Sequence, residues 1–334
     1  MRQLSAHIGI VLLLLCASST QATTPGELIA SIGFEEVREA LTETTIAALL
    51  GKEGEQLDKQ TRRDAAVLIA LGVMDRAELA AMNTPSHMAR LKYSLGHPNF
   101  KGVTGELSLV SRLGDPWQHD DLLEADEFLS VLGEALTRGV ITGYDLRRKD
   151  VYAGFAPGHF FIYSHSSAIH LQQLATLMSA HGINARVFVA PKVSAFLYRE
   201  DWGSPGDHVK TLPGGVRVVN GRESATLFEF ASPADRASFH DLILQYAKKD
   251  EKDEQRLIAG AWWQPFYYSD RPFEGFPDIS LVILSSDYFE ATLTVVHEKK
   301  EAVVQALSGK GFPLRVEKVW VNPAFFRFLN GGYR

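Results

Sequence analysis

The sequence predicts an α+β fold: an N-terminal all-helical domain, then a ferredoxin-like (βαββαβ) antiparallel-sheet domain with an appended ββαβ unit. Apolar residues recur at helical spacing over residues 25–138, with little strand-like alternation. Residues 159–268 alternate short apolar runs with capped helical segments, and residues 279–334 continue with strands around one further helix. We therefore expect a helical domain at residues 23–150 and an α+β domain at residues 151–334.

Residues 1–22 have the layout of a cleaved secretory signal. Arg2 precedes an apolar run that is too short to span a bilayer, and small and polar residues lead up to Thr23. Cys16, the single cysteine of the chain, offers an alternative as a lipidated residue, but the large Leu15 before it does not suit such a signal. We expect a periplasmic or secreted protein, with a lipoprotein anchored through Cys16 as the less favoured alternative.

The charge balance argues against a nucleic-acid partner. Removal of residues 1–22 takes only Arg2 from the 34 Lys and Arg residues, which leaves 33 against 40 Asp and Glu and a net charge of about −7. Nucleic-acid binders need a basic field instead. No second apolar stretch is long enough to cross a membrane. The cleaved chain would have no cysteine, so its core alone must stabilise it.

Local signals mark the helices and strands in order. Thr84-Pro85 and Asp115-Pro116 each place a capping side chain before a proline at the first helical position. In the ferredoxin-like order, Ser166 or Ser167 caps the first helix and Ser232-Pro233 begins the second. Asn220-Gly221 predicts a hairpin turn between two strands. The four strands of this order are predicted at 160–163, at 185–190, within 216–230 and at 261–268.

The appended unit follows the same reasoning. Its elements are predicted as strand 279–286, strand 289–297, helix 298–308 and strand 314–321. Residues 182–198 and 311–327 share Gly, Arg, Val and Ala-Phe at equal spacing. Either a duplication of βαβ-type units or the helix-glycine-strand pattern common to many folds explains this similarity.

Four of the eleven histidines lie between residues 158 and 182, at His159, His165, His170 and His181. On a strand, His159 and His165 would stand about 20 Å apart, too far for the bonds of about 2 Å around one zinc ion. No Asp or Glu occurs in this stretch. We therefore predict no metal site, and His181 should meet the dipole at a helix end. The His165-Ser166-Ser167 corner remains as a candidate anion site at a helix start.

Two further groups could do acid–base chemistry. His119 and Asp120 stand in an acidic stretch, although acidic residues in the first helical turns are also what the helix dipole favours. His208 lies in a long loop rich in glycine and proline. No P-loop, dinucleotide GxGxxG or GxSxG motif occurs, and His297-Glu298 lacks the second histidine of HExxH. The sequence therefore implies no cofactor.

The run AWWQPFYY, residues 261–268, places aromatic side chains on both faces of a predicted strand. Only one face of such a sheet is covered by helices, so Trp262, Trp263 or Tyr267 could contact a sugar ring or a partner protein. Packing against another part of the chain is the simpler alternative.

These observations favour an exported, soluble binding or protein-interaction protein without catalytic activity. Its partner would be a protein or a glycan of the cell envelope. One alternative is a periplasmic hydrolase whose site is assembled from dispersed residues such as His119, Asp120, His165 and His208. The other is a glycan-binding module that uses Trp262 and Trp263.

Overall fold

The computed structural model describes residues 24–105, 127–149, 154–165, 167–200, 209–211, 215–247 and 266–332. It is a mixed helix-and-sheet chain with a large antiparallel sheet, which confirms that part of the predicted fold class. No helix within these residues is long and apolar enough to cross a membrane. The predicted signal segment and the Asp115-Pro116 helix start lie outside the described residues.

The elements are numbered in chain order. The helices are α1 Pro25–Ser31, α2 Glu35–Ala40, α3 Glu43–Leu50, α4 Lys59–Ala70, α5 Pro85–Ser94, α6 Glu127–Thr137, α7 Ala168–Ala180, α8 Pro233–Leu242, α9 His297–Leu307 and α10 Pro323–Leu329. The strands are β1 Val103–Gly105, β2 Gly143–Arg148, β3 Phe160–His165, β4 Ala185–Leu197, β5 Val209–Thr211, β6 Arg217–Phe230, β7 Tyr267–Ser269, β8 Asp278–Ser285, β9 Phe289–Val295 and β10 Leu314–Val321. Short 3₁₀ turns lie at Gly51–Gly54 and Arg76–Ala81.

The chain forms two compact units. Unit 1 contains Met1–Asp115, Ser167–Val189 and Phe228–Pro265, and unit 2 contains Pro116–Ser166, Ala190–Leu227 and Phe266–Arg334. Each unit takes segments from both sides of residue 150, and the division into residues 23–150 and 151–334 stays a prediction.

Side-chain caps fix where several helices begin. Thr84 accepts a hydrogen bond from the amide of His87 at 3.4 Å, and Ser232 accepts one from Asp235 at 3.1 Å; a proline follows each cap. Ser167 caps α7 by accepting from the amide of His170 at 3.3 Å. These three helix starts are those that the sequence predicts, because the signal lies within one turn of chain.

Unit 1 is built around α4. Helices α1, α2 and α3 pack on it, and α7 packs on α4 and α2. The contacts bury Ile29, Val37, Ile46 and Leu68 completely, and the same holds for Leu174 of α7. Short β1 pairs in parallel with the first residues of β4, from Val103 with Ala185 to Gly105 with Val187.

Unit 2 is dominated by antiparallel pairing. Among the described residues, the strand order of the sheet is β1-β4-β2-β9-β8-β10-β7-β3-β6-β5, with β4 also paired to β6. One face carries a large apolar cluster with α6 and α9, in which Val282, Leu293 and Leu307 are buried. On the opposite face, a smaller apolar cluster that includes Ile279, Leu281 and Val321 packs with residues of α10.

The hairpin predicted at Asn220-Gly221 is wrong. Strand β6 runs without a turn through both residues, and β4 extends from Ala185 to Leu197 beside it. Hydrogen bonds from the amide of Tyr198 to Arg217 at 2.9 Å and from that of Ala231 to Asn184 at 3.0 Å bracket this pairing. The continuous ladder satisfies the backbone groups that a turn would release, so the long-range pairing outweighs the local turn preference.

Candidate functional site

Most of the candidate site residues belong to segments that the structure does not describe. His119, Asp120, Ser166, His208, Trp262 and Trp263 lie outside the described residues. His165 is half-buried at the end of β3, with its ring 6.5 Å from that of Tyr163. Within the described ranges, no three His, Cys, Asp or Glu side chains are grouped to hold a metal ion.

Tyr267 belongs to the core of unit 2. It is 0% exposed, and its ring lies 5.4 Å from that of Phe161 and 5.7 Å from that of Phe276. Its amide donates to Asn322 Oδ1 at 3.1 Å. The ring therefore presents no surface to a glycan or a partner protein, and the aromatic run is explained at this position by packing.

The described histidines of the opening stretch also take separate places. His159 is exposed before β3, and His170 is completely buried in α7. His181 caps the end of α7 with its ring 5.6 Å from that of Tyr246. His181 is exposed by surface area, and partial desolvation of its ring lowers its pKa.

A carboxylate, an imidazole and a hydroxyl meet at the start of β8. Asp278 Oδ2 lies 2.7 Å from His297 Nε2, and His297 Nδ1 lies 3.5 Å from the Ser280 hydroxyl. Lys318 Nζ donates to the same carboxylate at 2.8 Å. The pKa of Asp278 is lowered because Lys318, and then His297, hydrogen-bond to it. Sequence reasoning missed this group because the pairing of β8 with β10 and the packing of α9 bring its members together.

The carboxylate, imidazole and hydroxyl follow one another as in a nucleophilic triad, but the hydroxyl is not accessible to a substrate. A triad needs a hydroxyl that both reaches its base and meets the substrate. Ser280 is only 4% exposed, and its distance to the imidazole is at the limit of a hydrogen bond. The geometry therefore favours a structural role, in which the hydrogen bond between Asp278 and His297 fixes the first turn of α9 against β8.

A second polar cluster crosses β2, β4 and β6. Lys192 Nζ donates to Asp145 at 2.9 Å and to Glu223 at 3.0 Å, and the Ser194 hydroxyl lies 2.6 Å from Asp145 and 3.0 Å from Glu223. The Lys192 side chain is 7% exposed. Burial alone would lower its pKa, but the two carboxylates raise it well above its usual range. Lys192 is therefore cationic and cannot act as a base for Ser194.

The described part of unit 1 carries a small open cleft with a cavity volume of about 180 Å³. Its lining residues lie between the end of α4 and the residues that follow α5: Gly72, Val73, Met74, Asp75, Glu78, Arg90, Tyr93, Ser94 and His97. Tyr93 is 74% exposed at the rim, and its ring centre lies 5.4 Å from that of His97. At roughly 30 Å³ per water molecule, the space equals about six waters, enough for one small ring.

The charges in the cleft are largely paired with one another. Arg90 Nη2 donates to Glu78 Oε1 at 2.6 Å, and Arg90 Nη1 donates to the Val73 carbonyl at 3.4 Å. The second oxygen of Glu78 accepts from the amide of Asp75 at 2.7 Å. The cleft thus presents donors and acceptors without a strong net field, beside one large exposed ring. In the sequence, the feature that could have indicated this cleft is the pair Tyr93 and His97, four residues apart at the end of α5.

We expect the protein to lose stability as the pH falls below about 6.5. Burial, and then Arg90, lower the pKa of His87, while Glu78 opposes them; burial lowers that of His240 against the opposing charge of Asp241. Both imidazoles are neutral in the fold. Their stabilising contribution is therefore present above the unfolded pKa and is lost as the pH falls through the lower folded pKa.

Each histidine costs at most about 1.4 kcal/mol per pH unit in that window. Urea unfolding at about pH 7.5 and pH 5.5 measures the effect in the native protein and in His87→Gln/His240→Gln. The double variant should lose less stability between the two values. An equal loss in both proteins would contradict the assignment to these two histidines.

The fold and these clusters define a mixed helix-and-sheet protein with a large antiparallel sheet and a small polar cleft. Comparison with models of protein families, with curated proteins and with solved structures finds no match to the chain.

Proposed function

We propose that the chain is an exported binding protein of the cell envelope that acts without catalysis. Its ligand site is the cleft of unit 1, and the ligand is a small polar molecule with one apolar face, such as a single sugar ring. The observation that carries this proposal is the exposed Tyr93 ring beside the paired Arg90 and Glu78.

Each part of the cleft matches one part of such a ligand. The C–H face of a sugar ring packs on an exposed aromatic ring, which is otherwise costly to leave in water. Carboxylate oxygens of Asp75 and Glu78 accept from sugar hydroxyls, and the guanidinium of Arg90 donates to ring or hydroxyl oxygens. Arg90 is 42% exposed, so a ligand can reach it without breaking a buried pair.

We expect Tyr93→Ala to weaken ligand binding about two- to twelvefold, if a ring stacked on the ligand contributes about the 0.5–1.5 kcal/mol of an aromatic pair. The probes are N-acetylglucosamine and glucose, titrated into the full chain and followed by NMR chemical shifts of the cleft residues. Tyr288→Ala is the matched control, since Tyr288 is 76% exposed in unit 2 and lies outside the cleft. Equal weakening by both substitutions, or no shifts at residues 72–97, would contradict the proposal.

A hydrolase site at either of the two described polar clusters has less support than the binding proposal. The Asp278, His297 and Ser280 group has a buried hydroxyl, and Lys192 is held cationic by its carboxylates. We propose that neither group is catalytic. Covalent labelling of Ser280 by a fluorophosphonate probe would reverse this judgement.

Export and the finer topology complete the proposal. Residues 1–22 support secretion, and N-terminal sequencing of the exported protein should begin at Thr23. We also propose a ferredoxin-like order for residues 159–268. The strand neighbours β7-β3-β6, with β6 also paired to β4, support it. An experimental structure with β3 in any other position would exclude it.

A further inference from the structure

Within the part of the chain that the structure describes, strand β10 has one edge that is largely without a partner strand. It pairs with β8 from Leu314 to Trp320, whereas β7 pairs with it only at Trp320 and Val321. No described strand lies opposite residues 314–318 on that side. Arg315, Val316, Glu317 and Lys318 are all exposed, and Val316 is among the most exposed large apolar residues described, at 43%. An exposed sheet edge is a template for pairing with another chain.

The hydrogen-bonding direction of each residue on this edge follows from its neighbours. Val321 donates to the Pro277 carbonyl and the Pro313 carbonyl accepts from Ser285, so odd-numbered residues bond toward β8. Asn322 donates to the Tyr267 carbonyl on the other side. Residues of an antiparallel strand alternate in this direction. The N–H and C=O groups of Leu314, Val316 and Lys318 therefore point toward the free edge.

We propose that this edge pairs antiparallel with the same edge of a second copy of the chain, around a two-fold axis at Val316. In this register Val316 lies opposite Val316 of the second copy, and Leu314 lies opposite Lys318 of the second copy. These even-numbered positions are the hydrogen-bonded pairs that the outward backbone groups require. A shift by one residue would leave those groups unmatched.

Charge complementarity selects a second copy as the occupant. The same register places Arg315 opposite Glu317 of the second copy, and Glu317 opposite Arg315 of the second copy. These odd-numbered pairs are the non-hydrogen-bonded ones, in which side chains approach more closely. Arg315 already donates to Glu317 at 2.8 Å and to Glu290 at 2.6 Å within one chain, so the dimer extends an existing network. In a two-fold dimer each free edge is paired with the other, so no edge remains for a third copy and the assembly is a closed dimer rather than a fibre.

Sedimentation velocity of the full chain over a concentration series tests the proposal. The native protein should show a reversible monomer–dimer equilibrium. Val316→Pro should raise its dissociation constant about thirtyfold, because one N–H···O bond is lost from each copy. Proline is tolerated at such an edge because the missing N–H faces outward, and an unchanged melting temperature will show that the fold is intact.

Two further variants separate this register from other contacts. Glu317→Arg should weaken the dimer by placing Arg315 opposite arginine, while Glu301→Arg, the same change on the exposed face of α9, should not. In a Cys16→Ser background, Val316→Cys should form an intermolecular disulfide, since the expected Cα separation of about 5.5 Å suits one. Tyr288→Cys should not form one. A protein that stays monomeric at every concentration, or a dimer indifferent to Val316→Pro, would overturn the proposal.

Discussion

Replacing Lys192 with methionine is expected to lower the free energy of unfolding by about 1–3 kcal/mol. This is less than for a fully buried pair, because the side chains of Asp145 and Glu223 are 36% and 28% exposed. The methionine leaves Asp145 and Glu223 facing each other without a cation, and the Ser194 hydroxyl can donate its one proton to only one of them. The cluster joins β2, β4 and β6, so the loss falls on the pairing of these three strands.

Urea unfolding of the variant measures this loss, and two controls define its origin. Lys299→Met, at an exposed position of α9, should change stability by no more than about 0.5 kcal/mol. Adding Asp145→Asn and Glu223→Gln to Lys192→Met should recover much of the loss, because the stranded charges are then gone. A loss for Lys192→Met below about 1 kcal/mol would show that the carboxylates find water instead.

The Gly72→Ala substitution is expected to cost about 3 kcal/mol or more and to abolish binding at the cleft. Gly72 has a φ of +68°, and a Cβ atom there would overlap the backbone carbonyl of Asn99. That segment is fixed by the hydrogen bond from the Asn99 amide to the Leu71 carbonyl at 3.0 Å. The backbone must therefore move at Gly72, which lines the cleft, or at Asn99.

Gly139→Ala is the matched control for this prediction. Gly139 has the same φ of +68°, but no atom lies within 4 Å of an added Cβ. Gly139→Ala should lower the stability by only about 1–2 kcal/mol, the cost of placing alanine in the left-handed conformation. The difference in melting temperature between the two variants isolates the steric overlap, and equal melting temperatures would refute it.

Local signals carried the sequence prediction furthest. A cap followed by proline places the starts of α5 and α8, because both residues act within one helical turn. The last predicted strand, residues 314–321, has the same bounds as β10, and the helix predicted at 298–308 differs from α9 by one residue at each end. Alternating apolar residues and a capped helix are enough to place such elements.

The remaining features depend on partners distant in sequence. Asn220-Gly221 is a turn signal by itself, and only the presence of β4 beside β6 explains why the chain runs straight. Asp278 and His297 stand 19 residues apart, a spacing that matches no short motif. The aromatic run ending at Tyr268 was compatible with a binding surface and, more simply, with packing, and Phe161 and Phe276 show packing at Tyr267. A sequence pattern shows which residues of a strand or helix are apolar, but not which distant segment packs against them.

Unit 1 is built from three separate segments of the chain, so its folding cannot be completed until the last of them has been synthesised. Its N-terminal helices precede Gly105, yet α7 and residues from Phe228 onward belong to the same unit. At synthesis rates of about 5–20 residues per second, roughly 6–25 s separate the appearance of Gly105 from that of Phe230. Contacts between segments so distant in sequence also form slowly. We therefore expect the nascent chain to stay incompletely folded during this interval, the state in which a protein can still be threaded across a membrane.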